Sequence, residues 1–174
     1  MAPSGMQDLR MRFTLIDQIV GWEAGKSLRA EKHLTLAEEY LADHFPSFPV
    51  MPGVMMLQAM VEASAWLWRL TSDYKHSIIV LREVRNVKYG TFMEPGRTLE
   101  LDVQMTKIDP VAGTAVFRGK GNVAGGAQTV AGQMTLAAYN LRDKNPDLAG
   151  IDEKILTHWK ERAVLLTGAM RQVR

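Results

Sequence analysis

From Gly53 to about Leu70 the chain is apolar on nearly every side, broken only by Gln58, Glu62, Ser64 and Arg69. Three prolines (Pro46, Pro49, Pro52) stiffen the loop before it. The run reads as a helix, and a helix apolar all round must be wrapped on most sides. Its polar interruptions fit a buried core helix better than a membrane span. The residues C-terminal to the helix supply the wrapping. Leu99, Leu101, Val103 and Met105 alternate with Thr98, Glu100, Asp102 and Gln104, the pattern of a half-buried strand. Thr114 to Val123 reads as another strand, Gly125-Gly126 as a hairpin turn, and Val130, Gly132, Met134, Leu136 and Ala138 as one face of a last strand. Ile78 to Tyr89 and Ser27 to Leu36 are strand-like. Phe13 to Val20 suits a strand or a short helix. The fold class is α+β: a curved antiparallel sheet around a long central helix.

The 174 residues suggest a single domain with room for a core. That domain is expected over 1–146, with its core at about 13–140. A helical extension is expected over 147–174, its helix running from Ile151 to about Leu166. The chain has no cysteine, which excludes disulfides, thiolate catalysis and zinc–thiolate sites. His33, His44, His76 and His158 lack metal-ligand spacing, so no metal is expected. A net charge of +2 is too small to argue for nucleic acid. Residues 1–5 lack the charged-then-apolar pattern of a signal peptide, and a cytoplasmic protein without a membrane span is expected.

Chemistry concentrates where the rigid loop meets the helix. His44 can move a proton near neutral pH. The helix start at Gly53 presents amides without intrahelical acceptors, able to polarise a carbonyl oxygen. Gln58 stands on the first turns of the helix, an amide where a second acid–base group would be expected.

The run His44-Phe45-Pro46-Ser47-Phe48-Pro49-Val50-Met51-Pro52-Gly53, followed by Gln58-Ala59-Met60, resembles the (3R)-hydroxyacyl-acyl-carrier-protein dehydratases of fatty-acid synthesis, which have the hot-dog fold. Weaker resemblance extends over about Phe13 to Ala138, including Asn86-Val87-Lys88-Tyr89 and Glu94-Pro95-Gly96. The resemblance implies that His44 is the base that takes the C2 proton of the β-hydroxyacyl thioester. It implies that the Gly53 N–H binds the thioester carbonyl and that the Val50 carbonyl orients the histidine ring. Gln58 falls where the family has the carboxylate that helps expel the C3 hydroxyl, contributed by the neighbouring subunit. The resemblance also implies a homodimer, or a higher assembly such as a dimer-based hexamer, with an acyl-carrier-protein thioester as substrate and no cofactor. Ser47 replaces the family's usual glycine.

Glutamine cannot exchange a proton at neutral pH. Glu62 stands one turn on, on the same helix face, where the family usually has glutamine: Gln58 and Glu62 look exchanged. Glu62 is therefore a third candidate catalytic residue, and the plainer reading is an ion pair with Arg69. Met51, Met55, Met56 and Met60 suit a core, and some of them an acyl tunnel. Trp66 and Trp68 point to opposite sides of the helix, so at least one belongs to the core or a dimer interface. Arg82, Arg85 and Lys88 form a basic run, either a solvated face or a contact for an acidic carrier protein. Two rivals to dehydration remain: a hot-dog thioesterase, and an acyl-binding subunit paired with a complete paralogue.

Overall fold

The computed structural model describes residues 14–168. Strands β1 (Gln18–Glu23) and β2 (Ser27–His33) come first, and the helix α1 (Gly53–Thr71) comes next. Four longer strands then run in sequence: β3 (Ile78–Tyr89), β4 (Thr98–Asp109), β5 (Thr114–Val123) and β6 (Gln128–Tyr139). The helix α2 (Ala149–Leu166) comes last. The strands form one sheet in the order β1-β2-β4-β5-β6-β3, with every pair antiparallel. Phe13 lies outside the described residues, and the ambiguous segment after it resolves as a strand from Gln18.

The alternation in β4 works as its pattern demands. Leu99, Leu101 and Val103 are buried, and they sit opposite Val123, Gly121 and Gly119 of β5. The strand runs on to Asp109, past the end of its alternating residues. A bulge between Met105 and Lys107 keeps it paired with β5 beyond the part that covers the core. β2 stops at His33 rather than Leu36, because the Leu34 amide turns away to donate to the Arg97 carbonyl.

α1 lies against this sheet. Met56, Met60, Trp66, Leu67 and Trp68 are buried, so both tryptophans belong to the core. Each large side chain so buried contributes about 1.5–3 kcal/mol. The closeness of helix and sheet depends on Gly119 of β5, where a Cβ would come within 2.9 Å of Met60 Sδ. β3, at the sheet edge, is paired on one side by β6 and carries mostly exposed residues, among them Arg82, Arg85 and Lys88. Arg85 reaches Glu83 at 2.8 Å.

α2 is fastened by a knot that its sequence hides. Asp152, in its first turn, is fully buried. Its carboxylate accepts from Ser77 Oγ, from the Leu141 and Arg142 amides at 3.0 Å each, and from Arg142 Nε at 3.1 Å. Burial alone would raise the pKa of this carboxyl, but these four donors outweigh it and hold the group well below the usual carboxylate range. Asp152→Ala would leave the donors without their acceptor, which should cost about 2–4 kcal/mol. For a chain of this size, a loss of about 3 kcal/mol lowers the melting temperature by about 6–12 °C. Because the folded-state pKa is depressed, the contribution is complete above the unfolded value near 4 and disappears as pH falls through the folded one. Denaturant midpoints of the two proteins should therefore differ most at pH 7 and converge on acidification below about pH 4.

Candidate active site

His44 comes just after a single 3-10 turn (Glu39–Leu41), and its amide donates to the Tyr40 carbonyl at 3.2 Å. The chain then doubles back through Phe45, whose φ of 51° is left-handed and unusual for a bulky residue. The Phe48 amide closes this turn on the Phe45 carbonyl at 2.8 Å, and Phe48 packs edge-on against Phe92 at 6.0 Å. The Met51 amide pins the far end of the loop to the Met93 carbonyl at 2.8 Å.

This return brings the Val50 carbonyl to 3.0 Å from His44 Nδ1, the contact that the motif implied. A carbonyl can only accept, so Nδ1 carries the proton and donates it. Nε2 then has its lone pair available as a base.

α1 begins at the end of the same loop. Pro52 is its N-cap and provides no side-chain hydrogen bond, and no acidic residue occupies the first turn. The Met55 and Met56 amides donate back to the Pro52 carbonyl at 2.9 and 3.2 Å. Gly53 and Val54 therefore present the leading amides of the helix, with its positive end behind them. A Cβ at Gly53 would lie 2.8 Å from Cε1 of Tyr89, whose ring covers the helix start, so a larger residue there would push that exposed ring aside. This role for Tyr89 leaves no trace in the sequence, since nothing in its spacing ties residue 89 to residue 53.

Gln58 is exposed in the protomer, and Val54, one turn before it on the same face, is 65% exposed. Glu62, one turn further, is half-buried, and its Oε2 accepts from the Leu15 amide at 2.8 Å. It also lines a cavity of about 470 Å³ together with Arg162 and Trp159 of α2. Burial raises the Glu62 pKa, opposed in part by the Leu15 N–H and by the charges of Arg162, Arg69 and Lys32. Among the described residues no ion pair joins Glu62 to Arg69. The Arg69 guanidinium lies instead over the Trp159 ring, 4.0 Å from its centroid. Met51, Met56 and Met60 are packed into the core, with Met55 half-buried beside them. The protomer thus assembles His44, Val50 and Gly53 around one loop. Gln58 and Glu62 project from successive turns of α1, without a hydrogen bond to His44. Among the described residues, no group of three histidine or acidic side chains is placed to hold a metal ion, and no helix is long and apolar enough to cross a membrane.

Residues 9–133 match the family model of the FabA-like domain, and the chain belongs to that family. Among its relatives, the 3-hydroxyacyl-[acyl-carrier-protein] dehydratase FabZ of Shewanella amazonensis is 38% identical over 119 residues, which is 67% of this chain and 76% of that protein. The protein of the same name from Clostridium kluyveri is 35% identical over 115 residues, covering 63% and 80%. The one from Janthinobacterium sp. is 35% identical over 101 residues, covering 56% and 65%. The fold is the hot-dog fold. Similar solved structures include the dehydratase heterocomplex ApeI:P from Xenorhabdus doucetiae, with a TM-score of 0.61 at 15% identity over 78% of this chain and 90% of that one. Another is smu.793 from Streptococcus mutans bound to acetyl CoA, with a TM-score of 0.55 at 15% identity over 75% and 94%.

Proposed function

We propose that this chain removes water from (3R)-3-hydroxyacyl-acyl-carrier-protein thioesters to give trans-2-enoyl thioesters, in fatty-acid or specialised lipid synthesis. The observation that carries this reading is the His44 Nδ1–H to Val50 carbonyl bond beside the uncapped start of α1. It sets the tautomer in which Nε2 carries the lone pair, next to amides suited to a thioester oxygen. Nε2 takes the C2 proton while the Gly53 N–H bears the charge that develops on the carbonyl oxygen. The C3–O bond then breaks, the C2=C3 double bond forms, and the departing hydroxide takes a proton that the Glu62 carboxyl supplies through a water held by Gln58, leaving as water. No cofactor enters.

The assembly in this proposal is a homodimer, or a larger oligomer built from it. The exposed face of Val54 and Gln58, and the unpaired edge of β3, suit coverage by a second copy. That arrangement would set Gln58 of one subunit against His44 of the other. The Gln58 amide would hold the leaving hydroxyl without titrating. Glu62 stands one turn behind it. One of its oxygens accepts from the Leu15 amide, and burial raises its pKa, so in this reading its carboxyl is the acid that serves the leaving hydroxyl. Met51 and Met55 are placed at the mouth of an acyl tunnel, where burial of apolar surface would hold the chain. Arg82, Arg85 and Lys88 offer the acidic carrier protein an exposed basic strand. The work is placed in the cytoplasm, and 147–174 is read as an extension outside the catalytic domain.

A second reading rests on Gln58 itself: the chain binds acyl thioesters and awaits a companion subunit that supplies the carboxylate. One assay separates the readings. The purified chain is given 3-hydroxyacyl- and enoyl-carrier thioesters, and dehydration, hydration and hydrolysis are scored separately. Dehydration and hydration without hydrolysis are expected. Hydrolysis alone would make the protein a thioesterase, and inertness would favour the companion-subunit reading.

A further inference from the structure

A second cavity, of about 280 Å³, lies where the end of α1, the start of β3 and α2 meet. Ile78, Ile79 and Val80 of β3 and Ile155 of α2 give it apolar walls. Its charged lining is of one sign: Arg69 and Lys154, with the imidazole of His158 beside them and no carboxylate among the lining residues. Arg69 is the unusual member. It is only 5% exposed, and among the described residues its Nε–H has no hydrogen-bond partner. Buried donors are nearly always satisfied, and stacking on Trp159 at 4.0 Å attracts the cation without accepting that hydrogen. Burial lowers the Arg69 pKa to about 10, so the group is still charged at neutral pH. It therefore holds a buried positive charge with no carboxylate of the described residues in contact.

We propose that this cavity is a ligand site for an amphiphilic monoanion, a carboxylate on an aliphatic body, with Arg69 and Lys154 taking the head and the isoleucines the body. At roughly 30 Å³ per group the space admits about six to ten heavy atoms. The site stands apart from the reaction centre: Arg69 is roughly 24 Å along α1 from Gly53 at 1.5 Å per residue. Lys154, Ile155, His158 and Trp159 also lie beyond the residues 9–133 shared with the family, so this binding is a property added by α2. It stands independently of the dehydratase reading.

The test is calorimetric titration of the full chain with octanoate, with octanol and inorganic phosphate as comparisons. Octanoate should bind saturably. Octanol, which lacks the charge, should bind about tenfold more weakly or less, as loss of a charge-assisted hydrogen bond predicts. Phosphate alone, which lacks the body, should give no saturable heat. Ile155→Trp fills the cavity and Lys154→Glu reverses its rim. Each should weaken octanoate about tenfold or more. Lys154 is exposed and Ile155 only half-buried, so both changes spare the fold. Lys154 and Ile155 line this cavity and not the His44 loop, so a loss of affinity in these variants separates this site from any acyl binding at the reaction centre. Absence of saturable binding, equal affinity for octanol, phosphate binding as tight as octanoate, or octanoate affinity unmoved in both α2 variants would each overturn the proposal.

Discussion

Alanine at position 44 is expected to lower dehydration by about 10²–10⁴-fold, the range for loss of a positioned acid–base group. In the proposed reaction His44 acts on the proton in flight and apolar surface elsewhere holds the acyl chain, so the loss should fall on kcat, with KM little changed. The fold should survive. His44 is half-buried, and the loop around it stays tied through the Phe48 and Met51 amides. Steady-state kinetics together with a thermal melt check both halves of this expectation. A variant that melts like the wild type and still dehydrates at the wild-type rate would remove His44 from the mechanism, and the proposed reaction with it.

Glutamate at position 58 should act in the opposite direction. Gln58→Glu restores a titrating group where an amide now stands, and an increase approaching the same 10²–10⁴-fold range is expected if the missing acid limits the rate. Glu62→Gln should remove most of the wild-type dehydration, since it deletes the carboxyl behind Gln58. It should remove little from the Gln58→Glu protein, which no longer depends on a relay. That non-additivity is what two groups sharing one task produce. Rates for the wild type, both single variants and the double variant decide the matter. An unchanged rate in Glu62→Gln would assign both proton transfers to His44. Activity that appears only with Gln58→Glu would make the native chain a binding subunit.

Much of the fold is legible in the residues because burial leaves a periodic trace. The limits of β3 and β5 can be read directly, and so can α1, whose apolar run leaves it no place but the interior. β1 is ambiguous because six residues with Gly21 among them carry too little period to exclude a short helix. The loop chemistry is legible for a different reason: the run from His44 to Gly53 resembles the dehydratases, and that resemblance, not the spacing of the prolines, implies the His44–Val50 contact. What stays hidden depends on residues far apart in the chain. Asp152 looks like an ordinary acid in the first turn of a helix, and only the fold brings Ser77 and Arg142 to it. Arg69 reads as a natural partner for Glu62, yet it stacks on Trp159, far along the chain and without any pattern that links them. The attachment of Glu62 to the Leu15 amide is equally invisible, because a backbone donor leaves no mark in composition.

The central helix is also made early. When Thr71 leaves the ribosome, only β1 and β2 precede α1, and β3, β4, β5 and β6 are still to come. The last strand ends at Tyr139, and at roughly 5–20 residues per second the intervening stretch of about 70 residues takes about 4–14 s to synthesise. Throughout that interval the most apolar segment of the protein has no sheet to close over it. The sheet cannot close locally either, because β2 must wait for β4 and β3 for β6. The same wrapping that makes the helix N-terminus a rigid platform therefore makes the nascent chain sticky.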